Sequence, residues 1–195
     1  MKKRILIVAL AICLCAIIAG STIAYFSDTD SKTNSFAVGN ADIELKEDNW
    51  PENDPTDPSK PYCPDVNPGV DYDKAPYVVN KGTEEVFARI KVEGLDCLKA
   101  LCSDGALIGL KFEGSDGFNS DDWTYYDGYY YYDGPLAAGT STSYLFDQIS
   151  IPETLGNNDS GANFAVIVTG EAVQTAGYTG TTAADLAAWF TTCIG

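Results

Sequence analysis

The stretch PYVVNKGTEEVFARIKVEG, residues 76–94, carries the clearest β-hairpin pattern of this 195-residue chain. Asn-Lys-Gly-Thr at 80–83 is turn chemistry between two strand-like runs, so the stretch predicts a hairpin. In the second run, apolar residues alternate with others, as in a strand that has one face in a core. One face carries Val86, Ala88, Ile90 and Val92, and the other carries Phe87, Arg89, Lys91 and Glu93.

A second hairpin signal follows in DDWTYYDGYYYYDGPL, residues 121–136. Asp127-Gly128 between two aromatic runs predicts a tight two-residue turn. The aromatic side chains have two interpretations. They pack one face into the core and leave hydroxyls in water, or they form a surface for a glycan or a protein partner. The candidate partner surface consists of Trp123, Tyr125, Tyr129 and Tyr131.

The rest of the chain adds further short strands. Strand patterns occur in ADIELKE (41–47), IGLKFE (108–113), TSTSYLFDQISIP (140–152) and NFAVIVTGEAVQT (163–175), the last being apolar enough for a central strand. Helical spacing in LDCLKALC (95–102) predicts a short helix, and Thr182 with Asp185 predicts a capped helix at the C-terminus. Eight to ten short strands with one or two short helices predict an all-β fold, an antiparallel jelly roll or β-sandwich.

The N-terminus has the pattern of a secretory signal peptide. Lys2-Lys3-Arg4 precede an apolar run from Ile5 to Ala19, and small residues follow. Cleavage is expected after Ala24 or Tyr25, while an uncleaved membrane anchor is the alternative. The predicted organisation is a signal peptide (1–24), an N-terminal segment (25–38) and a domain (39–195), in a protein that is secreted or held at the cell surface.

Composition excludes several function classes. The chain has 28 acidic and 12 basic residues, with a formal charge of −16, and contains no histidine. The acidic surface repels nucleic acid and anionic membranes, so we expect no nucleic-acid partner and membrane contact only through the uncleaved signal. Absence of histidine removes Ser-His-Asp triads, Cys-His pairs and HExxH zinc sites. We therefore expect no enzyme, no catalytic residues and no cofactor.

Residues 47–76 form an acidic, proline-rich stretch, for which we predict a long surface loop. Its carboxylates are of the kind that bind calcium, but they lack the EF-hand spacing. A solvated loop is the better interpretation, and Ca2+ is the one cofactor that stays open.

Four cysteines follow the signal: Cys63, Cys97, Cys102 and Cys193. No CxxC pair is present, so a zinc ribbon is a poor interpretation. Export permits disulfides, and four cysteines allow three pairings. On a short helix, Cys97 and Cys102 would diverge, which favours long-range pairing such as Cys63 with Cys193. Free thiols are the alternative.

Several motifs in order resemble the TasA/camelysin family of exported proteins. They are AYFSDTDSKTNSFAVGNADIEL (24–45), VVNKGTEEVFARIKV (78–92), the tyrosine-rich stretch continuing through 123–152, and VTGEAVQTAGY (168–178) with a later AAW. The resemblance implies a jelly-roll subunit of an extracellular biofilm fibre from a Gram-positive-type bacterium, processed by a SipW-type signal peptidase. Some relatives carry a metallopeptidase label, which this histidine-free chain does not match.

The resemblance also implies that the protein is a homopolymer, joined by donor-strand exchange of its processed N-terminus. The segment 26–38 contains no proline, so it could pair along an exposed sheet edge. The residues assigned to this polymerisation strand are Phe26, Asp28, Thr29, Phe36 and Val38. A disordered leader is the alternative for the segment. For the whole protein, the alternatives are a monomeric surface-binding module that uses the tyrosine hairpin and a camelysin-like, histidine-free peptidase.

Overall fold

The structure is a computed structural model, and it describes residues 41–50, 53–54, 57–61, 66–155 and 165–194. These residues all belong to one compact unit, Gly39–Gly195. The predicted signal peptide and N-terminal segment lie outside the described residues. In the described part, no helix is both long and apolar enough to cross a membrane.

The described residues form twelve strands and one helix. In chain order the strands are β1 (Ile43–Asp48), β2 (Asn53–Asp54), β3 (Asp57–Pro61), β4 (Asp71–Asp73), β5 (Ala75–Asn80), β6 (Val86–Glu93), β7 (Gly109–Phe112), β8 (Ser115–Asp116), β9 (Trp123–Tyr126), β10 (Tyr129–Tyr132), β11 (Gln148–Ser150) and β12 (Ile167–Gln174). The helix, α1, spans Ala183–Ile194.

All strand pairs are antiparallel. One four-stranded sheet has the order β12-β6-β10-β9 and another has the order β4-β11-β7-β8. Two smaller sheets pair β1 with β5 and β2 with β3. The predicted all-β class is confirmed. The stretch 47–76, predicted as a loop, contains the β2–β3 ladder, β4 and the start of β5.

The main core lies between the sheets, as the alternation in β6 predicts. Val86, Ala88 and Ile90 are fully buried, together with Val78 from β5 and Trp123 from β9. A second, smaller cluster covers the other face of the β6 sheet, where Phe190 of α1 packs on Tyr131 and Val173. The sheet is therefore covered on both faces, which explains why the outward-facing Arg89 is also buried.

The predicted hairpin in residues 76–94 is wrong in its pairing. β5 pairs with β1, whereas β6 pairs with β10 and β12 in a different sheet. The connection turns because the buried Asn80 side chain accepts from Gly82 N at 2.9 Å and donates to the carbonyls of Glu84 and Leu136 at 2.8 and 3.0 Å. The backbone amides of Lys81 and Gly82, the first two residues of the connection, both donate to Asp42 O. These bonds carry the chain from one sheet to the other.

Two further expectations are corrected. β12, predicted as a central strand, is the terminal strand of its sheet, and β6 lies inside it. Residues 95–102 form a series of turns rather than a helix, because most of their bonds join residues three apart, such as Lys99 N to Asp96 O. So short a segment gains little from helix propagation. Leu98 and Cys102 still bury their side chains, as the helical spacing suggested.

The C-terminal helix begins as predicted. Asp185 N donates to Thr182 Oγ1, and Asp185 Oδ2 accepts from Thr182 N at 3.0 Å. This reciprocal pair satisfies amide groups that the first turn of a helix leaves without partners. The capping box predicted from the sequence is thus confirmed.

Candidate functional site

The two terminal strands β1 and β12 form one open side of the sandwich, which we call the open edge. Each pairs with a neighbour on one side only among the described strands. β1 lies against β12, since a Cβ atom added at Gly170 would be 3.4 Å from Leu45 Cβ. Unpaired amide and carbonyl groups on terminal strands are a template for pairing with another chain.

Apolar side chains at the open edge are only partly covered. Ile43 and Leu45 of β1, Val168 and Ala172 of β12, and Val166 just before it pack against the core but stay half-buried. Ile167 is 55% exposed. Because burying apolar surface is favourable by about 25 cal/mol per Å2, an added strand would gain free energy by covering these groups.

The polar groups beside the open edge are paired within the domain. Glu44 on β1 forms an ion pair with Lys81, with 3.2 Å between Glu44 Oε2 and Lys81 Nζ. Glu171 on β12 forms an ion pair with Arg89. Charged side chains on sheet edges reduce unspecific strand pairing. The open edge is therefore selective, with an apolar inner face and ion-paired outer groups.

The residues assigned to the polymerisation strand, Phe26, Asp28, Thr29, Phe36 and Val38, lie outside the described residues, as do the cleavage residues Ala24 and Tyr25. The structure therefore describes a candidate acceptor and leaves the donor as a prediction. No signal in the sequence identified the open edge, because it depends on which strands pair over long distances.

The tyrosine hairpin is formed as predicted. Tyr129 pairs with Tyr126 across a two-residue turn, in which both Asp127 (φ 48°) and Gly128 (φ 84°) have positive φ. This is the geometry of a type I′ turn, whose twist matches that of the strands. The Asp127-Gly128 sequence of the turn therefore explains why β9 and β10 form a hairpin.

The predicted partner surface on this hairpin is only partly exposed. Trp123 is 1% exposed and Tyr131 is 2% exposed, so both belong to the interior. Tyr129 is half-buried, and its ring lies 3.8 Å from the Arg89 guanidinium carbon. Tyr125, which is 54% exposed, stays on the surface. Sequence alternation could not show that the outer face is covered by α1.

Arg89 organises the outer face of the sheet. Its Nε donates to Glu171 Oε2 at 2.7 Å and its Nη1 donates to Tyr131 Oη at 3.1 Å. The guanidinium carbon also lies 4.3 Å from the Phe190 ring centroid. Planar guanidinium groups suit such combined stacking and pairing. These contacts join β6 to β10, β12 and α1, so Arg89 stabilises the fold.

No disulfide joins any two of the three described cysteines, Cys97, Cys102 and Cys193. Cys97 and Cys193 are exposed and Cys102 is buried. Although Cys97 is exposed overall, partial desolvation raises the pKa of its thiol. Cys63 lies outside the described residues, so its pairing with Cys193 stays a prediction.

Comparison with known protein families matches residues 1–59 to the camelysin metallo-endopeptidase family. The match confirms the sequence resemblance over that part of the chain, which ends in β3. Neither a curated protein nor a solved structure matches the chain.

Within the described residues, no donor set fits a metal of the kind implied by the name of that family. The sequence contains no histidine. Within the described ranges, no three Cys, Asp or Glu side chains are grouped closely enough to hold a metal ion.

Proposed function

We propose that this protein is the secreted subunit of an extracellular fibre, in which the N-terminal segment of one copy adds a strand to the open edge of the next. The observation that carries the proposal is the row of half-buried apolar side chains between β1 and β12. The family match over residues 1–59 supports it, because that match covers the segment expected to donate the strand.

Energetics favour a donor with apolar anchors. Because the Gln174 carbonyl at the end of β12 already accepts from Trp189 Nε1, a strand paired along the rest of β12 would form up to about six hydrogen bonds, each contributing roughly 0.5–1.5 kcal/mol net. Association costs about 4–15 kcal/mol in lost translational and rotational freedom. Backbone pairing alone therefore only roughly balances that cost. Phe36 and Val38, buried against Ile43 and Val168, would supply the surplus.

The opposite end of the same sheet is a poorer acceptor. At β9 the core-facing Trp123 is buried, and its ring packs on Tyr132 with 5.3 Å between centroids. An added strand there would cover little apolar surface beyond Tyr125 and Tyr126, which lie at the hairpin tip. The half-buried apolar side chains of the core lie at β12, so we place the acceptor there.

Processing sets where assembly occurs. In this proposal a SipW-type signal peptidase frees the segment after Ala24 or Tyr25, outside the membrane of a Gram-positive-type bacterium. Before cleavage the segment is held beside the signal, so it cannot reach another copy. The proposed role is structural and without peptidase activity, in keeping with the absence of histidine.

Cross-linking tests the acceptor. Ile167→Cys on β12 and Tyr125→Cys on β9 place thiols at two equally exposed positions of one sheet, 55% and 54%. Each is combined with Phe36→Cys, after Cys63, Cys97 and Cys193 are changed to Ser. The Ile167 variant should give a ladder of covalent oligomers under oxidation and the Tyr125 variant should not. Equal ladders, or a ladder from Tyr125 only, would contradict the proposed acceptor.

Variants of the donor test polymerisation itself. Removing 26–35 should abolish fibres in electron micrographs and leave the circular dichroism of the domain unchanged. Thr29→Pro removes one amide donor and should reduce fibre yield, whereas Thr29→Ala should not. Normal fibres from the truncated chain would refute strand exchange.

A monomeric binding module is the second candidate. Tyr125 and Tyr126 at the hairpin tip are both exposed, and the Tyr125 ring packs at a tilt of 51° against Tyr130, with 4.8 Å between ring centroids. Such rings suit a partner surface. Size-exclusion chromatography of the processed protein at rising concentration separates the two functions, because a binding module stays monomeric.

A further inference from the structure

A groove of about 520 Å3 lies on the domain, and its lining residues include none from β1, β9, β10 or β12. Its volume falls within the range of about 300–1,000 Å3 that is typical of small-molecule sites. Its lining comes from β5, β7, the β8–β9 connection and the β10–β11 connection and includes Tyr77, Phe112, Asn119, Asp122, Ser143 and Tyr144.

One wall of the groove is aromatic and held in place. The rings of Tyr77 and Tyr144 meet edge to face, 5.4 Å between centroids at 75°. Tyr144 Oη donates to Asp48 Oδ2 at 2.7 Å, and Tyr77 Oη lies 3.5 Å from Asp48 Oδ1. The hydrogen bond to Asp48 raises the pKa of Tyr144, so the phenol stays neutral. One carboxylate therefore fixes both rings.

The floor of the groove is polar and equally ordered. Asn119 is 5% exposed, and its Nδ2 lies 3.1 Å from Asp122 Oδ2 and 3.3 Å from Ser143 Oγ. Its backbone amide also donates to Leu145 O at 2.8 Å. A buried amide held by this many partners presents hydroxyl and carboxylate groups beside it in fixed positions.

The charge of the groove restricts its ligand. The lining includes the Asp122 carboxylate and contains neither lysine nor arginine. Phosphates, sulfates and uronic acids would meet a negative charge without a compensating cation, which is unfavourable. A neutral polyhydroxylated ring fits better, because aromatic faces cover its C–H surface while carboxylate and hydroxyl groups bind its hydroxyls.

We propose that this groove binds a neutral sugar unit of a polysaccharide. None of the lining residues belongs to β1 or β12, so one copy can join a fibre and hold a polysaccharide chain at the same time. Tyr144 is the main contact, since its ring is 40% exposed and fixed by Asp48. Asp122 and Ser143 are the hydrogen-bonding partners.

The test is affinity electrophoresis of the processed protein in gels that contain dextran, galactan or mannan, with polygalacturonate as the anionic comparison. At least one neutral polymer should retard the protein and polygalacturonate should not. Tyr144→Ala should weaken that binding at least about tenfold, as expected for a central aromatic contact. Tyr144→Phe, which keeps the ring, should bind better than Tyr144→Ala.

Tyr126→Ala is the matched control, because Tyr126 is as exposed as Tyr144 but lies on the hairpin. Binding lost in Tyr126→Ala and kept in Tyr144→Ala would place the sugar site on the hairpin and overturn the proposal. The proposal would also be overturned if none of the neutral polymers retarded the protein. It would be overturned as well if a synthetic 25–38 peptide bound the protein and Tyr144→Ala abolished that binding. Tyr144→Ala should fold and form fibres normally, which keeps this result independent of the assembly function.

Discussion

The β9–β10 turn and the β5–β6 connection each join consecutive strands, but only the first joins neighbours in one sheet. The β9–β10 turn has two residues, both with positive φ, and its strands pair in register. The β5–β6 connection has five residues, and the Asn80 side chain donates to one carbonyl within it, Glu84 O, and to one far along the chain, Leu136 O. A short turn determines pairing by its own geometry, whereas a longer one leaves the choice to tertiary contacts.

The largest effect is expected where the two regions meet, at Arg89 of β6 beneath the hairpin. Arg89→Leu removes its bonds to Glu171 and Tyr131 and leaves a partly buried carboxylate unpaired. We expect the free energy of unfolding, measured in urea, to fall by about 3–4 kcal/mol. Lys91→Leu, on the same face of β6 but in an exposed pair with Glu93, is the control and should change little. Equal losses would show that the cluster is not what fastens the sheet.

The next largest effect is expected at Asn80. Asn80→Ala leaves the buried Leu136 carbonyl and the Glu84 carbonyl without their side-chain donor, which should cost about 2–3 kcal/mol. Urea unfolding measures the loss, and the exposed Asn67→Ala serves as a control. A cost below that of the hairpin-turn variant described next would mean that the connection does not depend on this side chain.

A smaller effect is expected in the hairpin turn. Gly128→Ala places a side chain at φ 84°, where nothing lies within 4 Å of the added Cβ, so only the backbone conformation is penalised. The expected loss is about 1 kcal/mol in thermal or urea unfolding. Asp127→Asn keeps a residue that tolerates positive φ and should be neutral. A neutral Gly128→Ala would show that the turn does not determine the register.

The smallest effect concerns pH and the cap of α1, another locally determined element. Hydrogen bonds from Thr182 lower the pKa of Asp185. A carboxylate whose pKa is lower in the folded state stabilises that state above its ordinary pKa near 3.8, and this contribution is lost as pH falls through the lowered value. Asp185→Asn should therefore flatten the acid end of the stability curve, measured by circular dichroism between pH 2 and 5, a range set by that pKa. If stability at low pH depended on pH equally in Asp185→Asn and in the unchanged protein, the proposed role of the cap would be contradicted.

Local chemistry explains which parts of the fold the sequence could predict. The all-β class, the Asp127-Gly128 turn and the Thr182–Asp185 cap depend on residues close in the chain, and all three are present. The partners of β5 and β6 depend on contacts with residues such as Asp42 and Leu136, so the pattern in 76–94 could not reveal them. The burial of Tyr131 depends on α1, which lies about 55 residues later.

The same limit applies to the candidate sites. The open edge and the groove are built from elements far apart in sequence, such as β1 with β12 and Tyr77 with Asn119. Alternation identifies which face of a strand is apolar, but not which strand ends a sheet. The polymerisation strand is implied mainly by the family resemblance, and its residues lie outside the described part of the chain.

The β6–β12 ladder has a mechanical consequence for the proposed fibre. The two strands are in register over eight consecutive pairs, from Ile167 with Glu93 to Gln174 with Val86. A strand bound along β12 transmits tension parallel to this ladder, so the hydrogen bonds of the ladder are loaded in shear and must yield together. Peeling would instead break them one at a time at a lower force. A fibre built on this edge should therefore resist stretching better than bending its subunits apart.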